Sequence, residues 1–370
     1  MLYTNAKLIL KDRILENGWL LTEGTEIRSL GTMDALPAEI SSAGETEDLR
    51  GAYLAPGFVD IHNHGSGEYW FFDHPSEAAA WHLKRGTTSL LCSLWRNAGT
   101  YSFERSIENI RKAMAEPGSN IAGIHMEGPY LDPEFGSEGG TPWPVSAEEY
   151  TRLLDLGKDL IKTWCFDPCQ KGAREFAEAV HAAGIRLSVC YSKAKPELLE
   201  EYLPLGFSIA NHMLCGSASD KPMFPGTKEP GSDVFALVRD EITAEVIADS
   251  LGGHVRPYFL KLIYKCKGPG KIALVSDCCA GGDTRGSDVN VINGELYGSR
   301  LSLSVAVRNM RRHTGADPVS LIRMAATTPA EAIGIDGRKG SLAPGKDADL
   351  VVLDGEFNVK QVIKDGSLVQ

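Results

Sequence analysis

The stretch GAYLAPGFVDIHNHG, residues 51–65, decides how the chain is read. Its apolar run ends abruptly in His62-Asn63-His64. Side chains alternate on an extended chain, so imidazoles two residues apart point to one side and can share a metal. A His-x-His alone is a weak signal. Placed directly behind PGFVDI, a strand-like segment, it is much stronger.

Working downstream, seven further apolar runs follow: TTSLLCSL, IAGIHM, LIKTWCF, RLSVCY, FSIANHML, AEVIAD and KIALVS. Amphipathic segments such as SFERSIENIRKAMAEPG and KGAREFAEAVHAAG separate several of them, the alternation expected of βα units and a parallel sheet. Eight is the number of strands in a (β/α)8 TIM barrel, although a doubly wound sheet would give the same count. Polar residues separate the two, because a barrel builds its active site at the carboxyl ends of its strands. Here run one ends in His62 and His64, run three in His125-Met126-Glu127-Gly128-Pro129, run six in Asn211-His212 and run eight in Ser276-Asp277. Recurrence at matching places on four runs is hard to explain as packing.

Outward again, residues 1–52 and 336–370 read as short strands with turns, including Pro344-Gly345 and Asp354-Gly355. The expected organisation is a β-sandwich built from both termini around a barrel spanning 53–335. A net charge of −11 leaves no basic footprint for nucleic acid, and no apolar stretch approaches the roughly 18 residues needed to cross a membrane. The expectation is a cytoplasmic protein. The eight cysteines are too dilute for a disulfide scaffold and form no CxxC pair, so they read as free thiols, Cys278 and Cys279 included.

Two histidines, a carboxylate, a third histidine and an aspartate form a nitrogen and oxygen set suited to Zn²⁺, with Fe²⁺ or Mn²⁺ as alternatives. Such a metal lowers the pKa of bound water to about 7 and polarises an amide carbonyl. Glu127 is the candidate shared ligand, since a carboxylate inside an apolar run needs a partner. Asp277 is placed to take the proton from water and return it to the leaving amine, which is hydrolysis of a C–N bond. His254 follows the turn Leu251-Gly252-Gly253 and is a candidate substrate contact. His74, His82, His181 and His313 read as surface or packing residues.

The order PGFVDIHNHG, HMEGPYLDP, NHM, GGH, LVSDCCAGG, TTPAEAIG and GSLAPGKDADLVVLD resembles the amidohydrolase superfamily over nearly the whole chain. HMEGP resembles its N-acetylglucosamine-6-phosphate deacetylase branch. That resemblance implies a barrel with a β-sandwich from both ends, a homodimer, and hydrolysis of an N-acetyl amino sugar. It also implies that Glu127 and His212 are metal ligands, that Asp277 is the acid/base and that His254 contacts substrate. His62 and His64 match the first-strand pair of members that hold two metals, and His125 matches a position beside the metal-binding Glu.

The chain departs from the branch in three places. Strand five reads Cys190-Tyr191-Ser192 where the branch reads Gly-His-Ser, so one histidine ligand is missing. Tyr191 would need a depressed pKa to ligate, and alternation along a strand argues against both Cys190 and Tyr191 facing the metal. A single metal on His62, His64, Glu127 and Asp277 is therefore as good a reading as two. On the substrate side, Cys215-Gly216 replaces Asn-Ala, and Lys228 stands where an arginine crosses the dimer interface to the phosphate. Lysine keeps the charge without the bidentate geometry.

Competing readings are another C–N hydrolysis on the same scaffold (cyclic amidase, deaminase or N-acyl amino acid hydrolase) and a catalytically impaired sugar-binding homologue. No lysine ends strand three or four to bridge two metals, which favours the deacetylase branch. Retention of His62, His64, Glu127, His212 and Asp277 together argues against decay.

Overall fold

Long runs of apolar, β-branched side chains bury both faces of a strand, and such strands pair in parallel sheets covered by helices. The computed structural model describes residues 1–41, 44–95, 102–135, 143–217, 224–284 and 287–370. All eight apolar runs form strands: β1 (Phe58–Asp60), β2 (Thr87–Trp95), β3 (Ile121–Glu127), β4 (Ile161–Phe166), β5 (Arg186–Val189), β6 (Phe207–Ala210), β7 (Thr243–Ile247) and β8 (Ile272–Val275). They pair in sequence order, every neighbour parallel.

The first and last strands meet where the chemistry lies. The Asp277 N–H donates to the His62 carbonyl at 2.9 Å, and the Ser276 N–H reaches the Asp60 carboxylate at 3.3 Å. The result is a nearly closed (β/α)8 barrel.

Helices cover the outside. Phe103–Met114 buries Phe103, Ser106, Ile107, Ile110 and Ala113, the spacing of one helical face, and Ser102 caps its N-terminus by accepting from the Arg105 N–H. Ala147–Gly157 starts the same way at Ser146. After β8 a hairpin, Val289–Ile292 with Glu295–Ser299, precedes helix Leu303–Thr314. This hairpin was not among the runs expected from sequence.

Among the described residues, both termini join one further sheet of eight strands. Tyr53–Pro56 pairs with Leu2–Ile9 on one side and with Leu350–Leu353 on the other. The sheet has its own core, including Tyr3, Leu8, Leu20, Ile27, Leu54, Leu350 and Ile363. The chain crosses from sheet to barrel at Gly57, where an added Cβ would lie 2.1 Å from Thr88 Oγ1. Only glycine permits that approach, so this crossing fixes β1, and with it His62, against β2.

Candidate active site

Parallel register places the strand ends on one level: Trp95 pairs with Glu127, and Glu127 with Cys165. His62 and His64 leave β1 on one side, and their neighbour Asn63 is tied down by Ser93 and the Leu91 carbonyl. Glu127 ends β3 and turns both oxygens inward. Its Oε2 lies 3.2 Å from His64 Nε2, while Oε1 lies 3.0 Å from His212 Nε2 and 3.4 Å from His62 Nε2. Asp277 follows β8 in a left-handed conformation (φ 48°), pinned by its N–H to His62 and its carbonyl to Ser299. Its Oδ1 lies 3.3 Å from His64 Nε2 and 3.8 Å from His62 Nε2. All five side chains are buried.

The tautomers follow from the outer partners. His62 Nδ1 is 2.8 Å from Glu245 Oε2, and His212 Nδ1 is 2.8 Å from the Cys215 carbonyl. Both partners only accept, so Nδ1 carries the proton in each ring. Nε2 of each neutral ring then aims its lone pair at carboxylate oxygens, an arrangement that is repulsive unless a proton or a cation sits between them. Among the described residues, His62 Nε2 is buried without a hydrogen-bond partner, as is His64 Nδ1. Without a metal the rings meet the demand by protonation. Burial pushes the His62 pKa down, but Glu127 and Glu245 outweigh it and hold it well above the usual value. Burial likewise opposes, and the histidines reverse, the shift at Glu127, held well below the carboxylate range, and at Asp277, held below it. Converging imidazoles and carboxylates, with their outer nitrogens fixed by hydrogen bonds, fit a divalent cation.

The sequence profile of the amidohydrolase family matches residues 269–369. Two relatives are each 27% identical. The N-acetylglucosamine-6-phosphate deacetylase of Bacillus subtilis aligns with 100% of this chain and 96% of its own length. The N-acetylgalactosamine-6-phosphate deacetylase of Escherichia coli O157:H7 aligns with 96% and 97% respectively. Among solved structures, an aspartate-to-alanine variant of the Mycobacterium smegmatis N-acetyl-D-glucosamine-6-phosphate deacetylase, in complex with N-acetyl-D-glucosamine-6-phosphate, superposes with a TM-score of 0.85 at 26% identity, covering 100% of this chain and 98% of that one. The chain is thus similar to the amidohydrolase family over residues 269–369 and to these amino-sugar-phosphate deacetylases over nearly its whole length.

The site residues expected from the sequence distribute unevenly. His62, His64, Glu127, His212 and Asp277 come together. Tyr191 lies against the His212 ring, centroids 5.0 Å apart, and seats on Gly216, where an added Cβ would be 2.6 Å from Tyr191 Cε1. Cys215 contributes its carbonyl to His212 as above. Lys228 lies apart, exposed on the segment between β6 and helix Ser232–Val238. His254 is one layer out: Nδ1 lies 3.0 Å from Asp249 Oδ2, and Nε2 lies 3.1 Å from the carbonyl of Gly298, beside Asp277. His125 holds no place in the cluster. Asn211 donates to its Nε2 and its Nδ1 faces Thr163, so both nitrogens are engaged, and burial together with the charge on His62 keeps it neutral.

Strand alternation no longer applies at Cys190 and Tyr191. β5 ends at Val189, and Tyr191 turns to φ 45°, so both side chains reach the site. Cys190 Sγ, a Glu127 oxygen and a His212 nitrogen lie within 4.8 Å of one another.

Sequence reasoning passed over Glu245, Asp249, Asp60 and Trp95. Glu245 is a buried carboxylate in the middle of β7. Asp249 accepts from the N–H groups of Leu251, Gly253 and His254, shaping the turn that presents the histidine. Asp60, beneath His62, is pushed up to about 7 by burial. Trp95 lies edge-on to the His64 ring at 4.7 Å. For Asp60 and Glu245 the available signal was the one used for Glu127, an acid inside an apolar run.

Proposed function

We propose that this amidohydrolase removes the N-acetyl group from N-acetylglucosamine-6-phosphate or a close relative. The observation that carries the reading is the buried convergence of His62, His64, His212, Glu127 and Asp277 at the mouth of the barrel, with imidazole lone pairs aimed at carboxylates. Their donors suit zinc first and Fe²⁺ or Mn²⁺ next, one or two ions per subunit. A bound divalent cation supplies Lewis acidity and lowers the pKa of water.

The chain's own residues do the rest. Asp277 takes a proton from the attacking water and delivers it to the amide nitrogen as the C–N bond breaks. Its left-handed backbone, held at both N–H and carbonyl, keeps the carboxylate aimed into the mouth. Glu245 and the Cys215 carbonyl hold His62 and His212 in the tautomer that faces inward. His254, oriented by Asp249, serves the sugar or the scissile carbonyl. Tyr191, Cys215 and Gly216 line the same side, and Lys228 meets the phosphate.

The subunit works as a cytoplasmic homodimer in this reading. Exposed Leu251, Tyr258, Phe259 and Leu262 supply apolar surface for the contact. The glucosamine and galactosamine relatives are equally similar to this chain, which makes both 6-phosphates candidate substrates.

The test combines elemental analysis of the purified protein with acetate release from N-acetylglucosamine-6-phosphate, N-acetylgalactosamine-6-phosphate and their unphosphorylated forms. Bound transition metal with acetate release names the substrate. Metal without acetate release shifts the reading to another C–N hydrolysis, and a metal-free protein that stays inert after reconstitution ends the enzyme reading.

A further inference from the structure

Glu127 presents its two oxygens to different partners, Oε2 to His64 and Oε1 to His212. Oε2 therefore serves His64 and its neighbour Asp277, while Oε1 is shared between His62, at 3.4 Å, and His212. On the His212 side, Glu127 also meets Cys190, and one ligand atom from each of the three residues lies within 4.8 Å of the others, all three residues being buried. A tetrahedral centre with bonds of about 2.0–2.3 Å keeps its ligand atoms roughly 3.3–3.8 Å apart. Contraction by about an ångström would close Glu127, Cys190 and His212 around an ion, leaving a fourth position open.

We propose that the Cys190 thiolate replaces the missing strand-five histidine and completes a second metal position with Glu127 and His212. The inference rests on the metal-dependent reading of the site and not on which sugar is hydrolysed.

Three observations support it. β5 stops at Val189, which frees Cys190 from the strand's alternation, and the chain turns at Tyr191. The Tyr191 ring is committed elsewhere, between His212 and Gly216, leaving sulfur as the donor that meets Glu127 and His212. Behind Cys190 sits a second thiol, Cys165, whose Sγ is 2.9 Å from Cys190 Sγ. Its S–H can donate to the thiolate, the kind of outer contact that tunes a metal ligand. A mixed sulfur, nitrogen and oxygen position favours thiophilic ions such as Zn²⁺ and Co²⁺ over Mn²⁺ and Mg²⁺. This chain would then be more selective than one with a histidine in place of Cys190.

The probe is cobalt(II), added anaerobically to the full-length protein after chelation. Thiolate ligation gives an intense near-ultraviolet charge-transfer band that nitrogen and oxygen ligands do not. The wild type should take up two equivalents and develop the band with one of them. Cys190→Ser should lose the band and one equivalent, and Cys190→His should bind two equivalents without it. Cys279→Ser should keep the band, because Cys279 lies beside His64 and Asp277 at the other position. A wild type without the band overturns the proposal. So does a band that survives in Cys190→Ser, or one lost in Cys279→Ser and retained in Cys190→His. Acetate release from the same samples separates the readings: a banded protein that releases none sinks the deacetylase assignment alone.

Discussion

Two clusters of buried charge, one in the terminal sheet and one at the barrel mouth, are balanced differently. In the terminal sheet, Asp349 accepts from Lys339 Nζ at 2.5 Å, from Lys364 Nζ at 3.3 Å and from the Asp365 N–H at 2.9 Å. Asp347 meets Lys339 at 2.6 Å and also pairs with Arg338. Each acid has a permanently charged partner from the chain itself, and although burial pulls the Lys339 pKa down, Asp349 and Asp347 hold it above its usual value. At the barrel mouth Glu127, Asp277 and Glu245 face imidazoles instead. A neutral imidazole cannot balance a carboxylate, so that cluster needs a proton or a cation from outside. The first arrangement is complete as folded; the second is built to receive.

If that contrast holds, the largest effect should come from Asp277→Asn. The substitution keeps volume and removes the base, and a positioned acid/base contributes about 10²–10⁴-fold to rate. Acetate turnover should fall by that order with the metal still bound. Turnover near wild type in a metal-loaded variant would mean the proton goes elsewhere.

Asp349→Ala should give the opposite profile. Removing one partner of a buried ion pair costs about 3–5 kcal/mol because the remaining charge is stranded. Lys364 and Asp349 are 8% and 5% exposed, which places them in that regime. The denaturation midpoint should drop while turnover per folded molecule stays level. A stable variant would show that the lysines find other partners and that this cluster is not structural in the sense argued.

Most of the fold could be read from the chain because each barrel strand is a predominantly apolar run, and the site's outline because His62, His64, Glu127, His212 and Asp277 stand where those runs stop. The unread parts depend on distance or on geometry beyond the strands. Glu245 is 183 residues from His62, and nothing local marks the pair. Cys190 and Tyr191 lie past Val189, where strand alternation no longer applies, so the sequence alone could not say that the sulfur meets Glu127 and His212 while the ring packs on His212 and Gly216. The hairpin Val289–Ser299, which supplies the Gly298 carbonyl to His254, carries no long apolar run to announce it.

A finer test of the contrast is Glu245→Gln. Glutamine can still accept the His62 Nδ1 proton, but it removes the negative charge that makes the imidazole a better donor. Loss of such outer partners typically weakens metal affinity by about 10–100-fold. Competition with a calibrated chelator should show a shift of that size, with the fold intact. Unchanged affinity would reduce Glu245 to a packing role and make the mouth less dependent on its outer carboxylate than the terminal sheet is on its lysines.

The smallest expected effect is at Lys228, the candidate contact that lies outside both clusters. It is exposed and carries one charge without a fixed geometry. Lys228→Ala should raise KM for a phosphorylated amino sugar by roughly five-fold at most, the range of an exposed ion pair, and leave the unphosphorylated sugar unchanged. Added salt should erase the difference between variant and wild type, because screening weakens exposed charges first. If KM moves equally for both sugars, Lys228 shapes the loop and does not read the phosphate. If kcat falls instead, the segment carrying it takes part in closing the mouth, and the boundary between the receiving cluster and its surroundings lies farther out than His254.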